Sequence, residues 1–258
     1  MSFEVASVKQ DLSGKYISPP FSIDSDDDDT PTGGLFAAQM PLTSYISFAY
    51  KLTQQNPMIS NLPSWASTER FEIQARAAGN PTEDQLRLMM QSLLADRFKL
   101  AIHFETRELP VLALTFIRPG KPGAGLRLHA DGPPCDVVVP RTANSTVDIS
   151  MFPCNVIMAI NKPDHTILAG ARNTTSRLMA AFFTNVGHPG RPVVDRTGLS
   201  DKIDFAMEYM PEDRNSQPDL PGETFLGAIK DQLGLKLDPV KAPLDIPVID
   251  HIERPSEN

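Results

Sequence analysis

No apolar run in this 258-residue chain approaches the roughly 18 residues that a membrane-crossing helix needs. VLALTFI at 111–117 has the length of a buried strand. Basic charge is also scarce: 24 Lys and Arg stand against 32 Asp and Glu, and the net charge of −8 is spread over both halves. No basic face emerges, so binding to a nucleic-acid backbone has no electrostatic footing, and an anionic lipid surface would repel the chain. With only two cysteines, Cys135 and Cys154, a disulfide-dense scaffold is excluded, and their spacing is not a zinc pattern. They are read either as one disulfide or as two buried thiols.

The reactive motifs are missing as well. There is no Gly-x-Ser-x-Gly elbow, and Ser64, Ser92 and Ser200 lack a nucleophile's context. The five histidines, His103, His129, His165, His188 and His251, form neither HxH nor HExxH. No GxGxxG loop exists, and GKPGAG at 120–125 does not sit between a strand and a helix.

What is present is a core. Apolar residues make up 41% of the chain, while 24 prolines and 15 glycines break it into short elements. FEVASV near the start, and FEIQARA from Phe71, alternate as half-buried strands. Thr43 or Ser44 is expected to cap a first helix. Asn80-Pro81-Thr82-Glu83 predicts a second, with Asn80 as cap, Pro81 at the first helical position and Glu83 closing a capping box. Leu86, Met89, Met90, Leu93 and Leu94 then follow as one apolar stripe. Two hairpins are expected, one turning at Thr106–Glu108 and one at the end of the chain.

The second half is read as a repeat of the first, at an offset of 135 over its later part. Asp96, Leu100 and Leu109 fall on Asp231, Leu235 and Leu244, and Leu94, Phe98, Ile102, Val111 and Ala113 fall on Ile229, Leu233, Leu237, Ile246 and Val248. The expected fold is therefore α+β and internally duplicated, each half a mixed or antiparallel sheet covered by two helices. The expected division is a first repeat over 1–118, a connector with the cysteine strands over 119–165, and a second repeat over 166–258. A small molecule or protein partner is expected in the cleft between the repeats.

Candidate site residues are few. His188, in VGHPGRP, and Asp195-Arg196, in VVDRTGL, are the ligand-binding candidates, although a turn at a strand end is the commoner meaning of the latter pair. Asp24, Asp26 and Asp28 alternate like the start of a calcium loop. Asp29 stands where that loop needs glycine and Leu35 where it needs glutamate, so a solvated charged loop is the plainer reading. Calcium is the only cofactor in view. His103 and His251 are read as structural imidazoles, and Trp65 as a core plug.

Several phrases resemble a known family: FEVASVK, LADRFKLAIHFETRELPVLAL, GRPVVDRTGL, IDFAMEY and LGLKLDPVKAPLDIPVIDHIERPSEN. Together they are similar to an uncharacterised soil-associated bacterial family built on a domain of unknown function. Members usually carry an export signal, and some join the domain to a membrane sensor-peptidase. The resemblance implies a periplasmic or extracellular protein, here a mature chain with its signal peptide removed. It supplies no catalytic residues. In element order, each half is also distantly similar to the short N-terminal domains of secretins and TonB-dependent receptors, which are periplasmic interaction modules. The expected function is an exported binding module for a ligand or protein; the alternative is a hydrolase of small esters or lactones, assisted by calcium.

Overall fold

A computed structural model describes residues 1–19, 21, 32–52, 59–135, 148–187, 189–211 and 223–255. The fold is α+β, and the chain separates into two compact units. One comprises Met1–Glu108 with Pro243–Asn258, the other Leu109–Ala242.

The first unit is built on a three-stranded antiparallel sheet. Its centre is β3 (Arg70–Arg76), flanked by β1 (Val5–Asp11) and β2 (Leu35–Pro41). As the alternation of FEIQARA predicts, Phe71, Ile73 and Ala75 are buried, while Gln74 and Arg76 face water. Helices α1 (Leu42–Ala49), α2 (Ser64–Thr68) and α3 (Glu83–Arg97) belong to the same unit. The predicted stripe of α3 is buried at every position, and Leu88, off the stripe, is exposed. Phe71 meets Phe98 edge-on at 5.0 Å. The single Tyr45 hydroxyl hydrogen is shared between the carbonyls of Ala38 and Phe71, at 2.9 and 2.7 Å, so its phenol is buried with its donor satisfied. Burial pushes its ionisation well above the usual phenol range. Trp65 lies at the margin of this core, with the Arg254 guanidinium 4.9 Å above its ring.

Cap assignments moved. The α3 cap is Thr82, whose hydroxyl accepts from the Gln85 amide while the Gln85 side chain accepts from the Thr82 amide. Asn80 instead accepts from the Gly33 amide at 2.7 Å, which ties down the preceding loop and leaves Pro81 outside the helix. α1 starts at once from the end of β2, with Pro41 in the cap position and no side-chain cap bond.

The second unit holds a four-stranded antiparallel sheet in the order β5 (Leu126–Leu128), β9 (Ile203–Tyr209), β7 (Ile167–Thr174), β6 (Met158–Asn161). Its helices are α4 (Ser176–Val186), capped by Thr175, and α5 (Phe225–Asp231), capped by Thr224. Gly234 ends the α5 segment in the left-handed region at φ 69°, as expected for a C-terminal glycine. β9 is buried on both faces. Ile203, Phe205 and Met207 alternate with Asp204 and Ala206, yet Ile203 to Met207 are all buried. The second face is covered by a small cluster of Ile149, Phe152, Leu168 and Ala206. Gly170 makes room for that lid, since a Cβ there would sit 2.6 Å from the Phe152 ring.

The two predicted hairpins are absent. Ala101–Phe116 is one continuous strand, β4, and Leu235–His251 another, β10. They pair with each other, and β4 also pairs in parallel with β8 (Val193–Asp195). Contacts of Thr115 with Asp238, Thr106 with Asp245 and His103 with Asp250 show β4 and β10 running in opposite directions. Thr106–Glu108 carries no glycine or asparagine to reverse the chain, so extended pairing prevails.

No internal duplication is shown. Of the three sheets, that of the first unit has three strands and that of the second four, and in the third, β10-β4-β8, β4 and β10 each begin in one unit and end in the other. A helix stripe followed by strand alternation matches any second stretch with the same periods, which accounts for the apolar-on-apolar correspondence.

Candidate functional site

The charge that stands out is Asp204, whose side chain is fully enclosed in the second unit. A buried carboxylate is stable only with donors around it. Asp204 has several. His129 Nδ1 lies 2.6 Å from one oxygen, and the Asn173 amide donates to the same oxygen at 3.0 Å. The Arg127 guanidinium lies 3.2 Å from the other. These partners come from three places: the middle of β5, the single turn of 3-10 helix at His129–Asp131, and the irregular end of β7.

That irregularity has a visible cause. The β7 register shifts between Ala171 and Thr174, and Asn173 takes the left-handed conformation at φ 53°. Asn155 is left-handed too, at φ 63°, and accepts from the Asn173 side chain at 2.7 Å. Asparagine tolerates this region better than other residues with a Cβ. Bulges that turn a side chain or amide toward a chosen point cluster near functional sites.

Arg172, also buried, clasps two loops. Its side chain donates to the carbonyls of Pro133 and Pro134, both at 2.7 Å. Its backbone bonds to Pro153 and Asn155. These loops carry the two cysteines, and Cys135 and Cys154 form a disulfide with Cα atoms 5.7 Å apart. Of the two readings of the cysteines, the disulfide is the one observed. Closing a loop of this length contributes about 3 kcal/mol. The Cys135→Ser/Cys154→Ser double variant is therefore expected to lose about 3 kcal/mol in urea unfolding, with a somewhat larger m as the unfolded chain expands; a loss under about 1 kcal/mol would contradict it.

An ionised carboxylate only accepts hydrogen bonds, so Asp204 assigns the hydrogen of neutral His129 to Nδ1. Nε2 is left with a lone pair and faces Cys135 Sγ at 3.6 Å. With that sulfur in a disulfide, the histidine has no thiol to activate. The ligand atoms of His129, Cys135 and Cys154 lie within 4.8 Å of one another, a group of metal-binding atom types. Asp148 adds acidity nearby; hydrogen bonds from the Ser150 hydroxyl and amide hold its carboxyl below the usual range.

Asp24, Asp26, Asp28 and His188 fall outside the described residues, as does the strand expected after Cys135. Asp195 accepts from the Ser176 hydroxyl at 2.5 Å and from the amide and hydroxyl of Thr197, tying β8 to the start of α4. Arg196 is exposed. His251 pairs with Glu253 at 2.7 Å. His103 lies between Asp250 at 2.9 Å and Glu105 at 3.3 Å. The hydrogen bond with Asp250, then that with Glu105, raises its pKa above the ordinary 6.5. Its stabilising contribution is thus complete below the unfolded-state pKa and fades as pH rises through the higher folded value. An NMR titration is expected to place its midpoint above 6.5, with Asp250→Asn lowering it; no change on that substitution would contradict the pairing.

His129 and Asp204 were missed in the sequence reading. Two signals were available: an acid inside the apolar run IDFAM, and a histidine six residues before a cysteine.

A family model matches residues 43–252, most of the chain. The chain belongs to the DUF3738 family, a protein of unknown function. No curated protein and no solved structure matches it. The Asp204 cluster and the disulfide both lie within the matched DUF3738 region. No described helix of this DUF3738 chain is long and apolar enough to cross a membrane.

Proposed function

We propose that the chain is an exported binding module, for a polar small molecule or a peptide, whose recognition surface is the disulfide-crossed corner of the second unit. One observation carries the reading: a fully buried carboxylate, Asp204, orients groups at the surface rather than pairing within the core. A buried charge is costly, and fixing surface groups in advance is a use that offsets the cost. Arg127 and His129 offer a cation and an imidazole on Asp204, and the paired side-chain amides of Asn155 and Asn173 join through the Asn173 backbone bond to the same carboxylate. A disulfide suits an oxidising compartment, which supports export. The net charge of −8 disfavours a nucleic-acid partner.

The test is NMR of the full oxidised chain titrated with acetylated tetrapeptides and with neutral oligosaccharides. Shift changes are expected to centre on Arg127, His129, Asn155 and Asn173, and Arg127→Ala is expected to weaken binding about tenfold. Changes centred elsewhere, or none with either probe set, would overturn the assignment. Turnover of chromogenic esters or lactones by the oxidised chain would favour the hydrolase reading instead.

A further inference from the structure

We propose that reduction of the Cys135–Cys154 disulfide converts this corner into a zinc site, with His129 Nε2 and the two cysteine thiolates as ligands and water in the fourth position. The donor atoms are already grouped within 4.8 Å. Tetrahedral zinc, with bonds of about 2.3 Å to sulfur and about 2.0 Å to nitrogen, separates its donors by roughly 3.5–3.8 Å. His129 Nε2 and Cys135 Sγ already lie 3.6 Å apart. The two sulfurs need to part, and the Cys154 sulfur, within 4.8 Å of the other donors, needs to settle at roughly 3.5 Å from Nε2.

The support around the histidine has the form zinc requires. Metal-bound histidine generally donates its other ring N–H to a carboxylate, which fixes tautomer and ring angle. Here Asp204 receives Nδ1 at 2.6 Å and is itself held by Arg127 and the Asn173 amide. The Nε2 lone pair is thereby aimed at the sulfurs before any metal arrives.

Cutting the bridge does not release the cysteines. Arg172 grips the Pro133 and Pro134 carbonyls just before Cys135 through its side chain, and Pro153 and Asn155, on either side of Cys154, through its backbone. Both sulfurs therefore stay beside His129. The chemistry balances with a dithiol as reductant. The dithiol passes two hydrogens to the bridge and closes to its own disulfide, leaving two cysteine thiols. Zinc then binds two thiolates, and two protons pass to water. The oxidised form offers no thiolate, so one pair of sulfurs selects between a closed bridge and a metal site.

The inference shares residues with the binding reading but rests on the donor atoms alone, since zinc uptake is measured with no organic ligand present. The full chain is reduced with a phosphine, which takes oxygen from water and leaves two thiols, and is then desalted under nitrogen. Zinc affinity is measured by competition with a chromogenic chelator, and cobalt(II) reports geometry and thiolate ligation by absorption. One zinc per reduced chain is expected, bound at least about 100-fold more tightly than by the oxidised chain. Cys154→Ser and His129→Gln are each expected to lose about 100-fold, and Asp204→Asn about 10- to 100-fold. His129 sits at the half-buried rim, so His129→Gln keeps the test decisive if Asp204→Asn fails to fold. Equal affinity of the reduced and oxidised chains, or unchanged affinity in His129→Gln or Cys154→Ser, would overturn the proposal.

Discussion

Replacing Asp204 with alanine is expected to lower stability by about 3–5 kcal/mol, the cost of leaving buried cationic and polar partners without their acceptor. The loss has three physical parts. The Arg127 guanidinium loses its carboxylate, His129 Nδ1 loses its acceptor, and the Asn173 amide is stranded in an irregular strand end. Asp204→Asn keeps the shape and one acceptor oxygen, so a smaller loss is expected. Urea denaturation at neutral pH is the check. A loss below about 1 kcal/mol for Asp204→Ala would mean that water replaces the carboxylate and that the cluster is not built around it.

The second large effect belongs to the first unit. Phe71→Ala is expected to cost about 3–5 kcal/mol, because a fully buried ring leaves a cavity that the sheet cannot close. Phe71 sits on the central strand, in edge contact with Phe98 at 5.0 Å and Trp65 at 6.4 Å. The Tyr45 hydroxyl bonds to the Phe71 carbonyl, so main-chain tethering survives the substitution and the effect reports packing. Leu88→Ala, on the exposed side of α3, is the matched control and is expected to stay within about 0.5 kcal/mol.

The contrast between these residues shows what the sequence made legible. Phe71, Ile73 and Ala75 alternate with polar neighbours, and the α3 stripe repeats every three to four residues. Both patterns are local and follow from one element having one buried face, so they could be read directly. The α+β class and the pairing of apolar faces came from the same source. Asp204 was not legible, because the partners that enclose it, Arg127, His129 and Asn173, come from residues 77, 75 and 31 positions earlier, and Phe152 and Ile149 cover the same strand at Ala206. Period-two alternation marks the wet face of a strand only while nothing covers it. The hairpin expectations failed for a related reason. Thr106–Glu108 and the proline-containing stretch after Leu235 look like interruptions on their own, and only the pairing of β4 with β10 makes each one extended strand.

The candidate site was legible only in part. Cys135 and Cys154 were marked by their count, and their pairing followed the disulfide reading. His129 lacked a neighbouring histidine and so matched no metal motif; its partners are brought by β9 and by the loop holding Cys154. Asp195 was marked for its place at a strand end, and its carboxylate serves to tie that end to α4. A turn and a binding site call for the same residue types, and only the partners separate them.

One spectrum probes the centre of this description most directly: long-range nitrogen–proton correlation of the His129 ring in the oxidised chain, recorded where the imidazole is neutral. If Asp204 holds the ring as its geometry indicates, the hydrogen resides on Nδ1 and Nε2 carries the lone pair. Asp204→Asn should then mix the two tautomers. A wild-type spectrum showing the hydrogen on Nε2 would contradict the whole arrangement, because the ring would then present a donor toward the sulfurs where a lone pair is required.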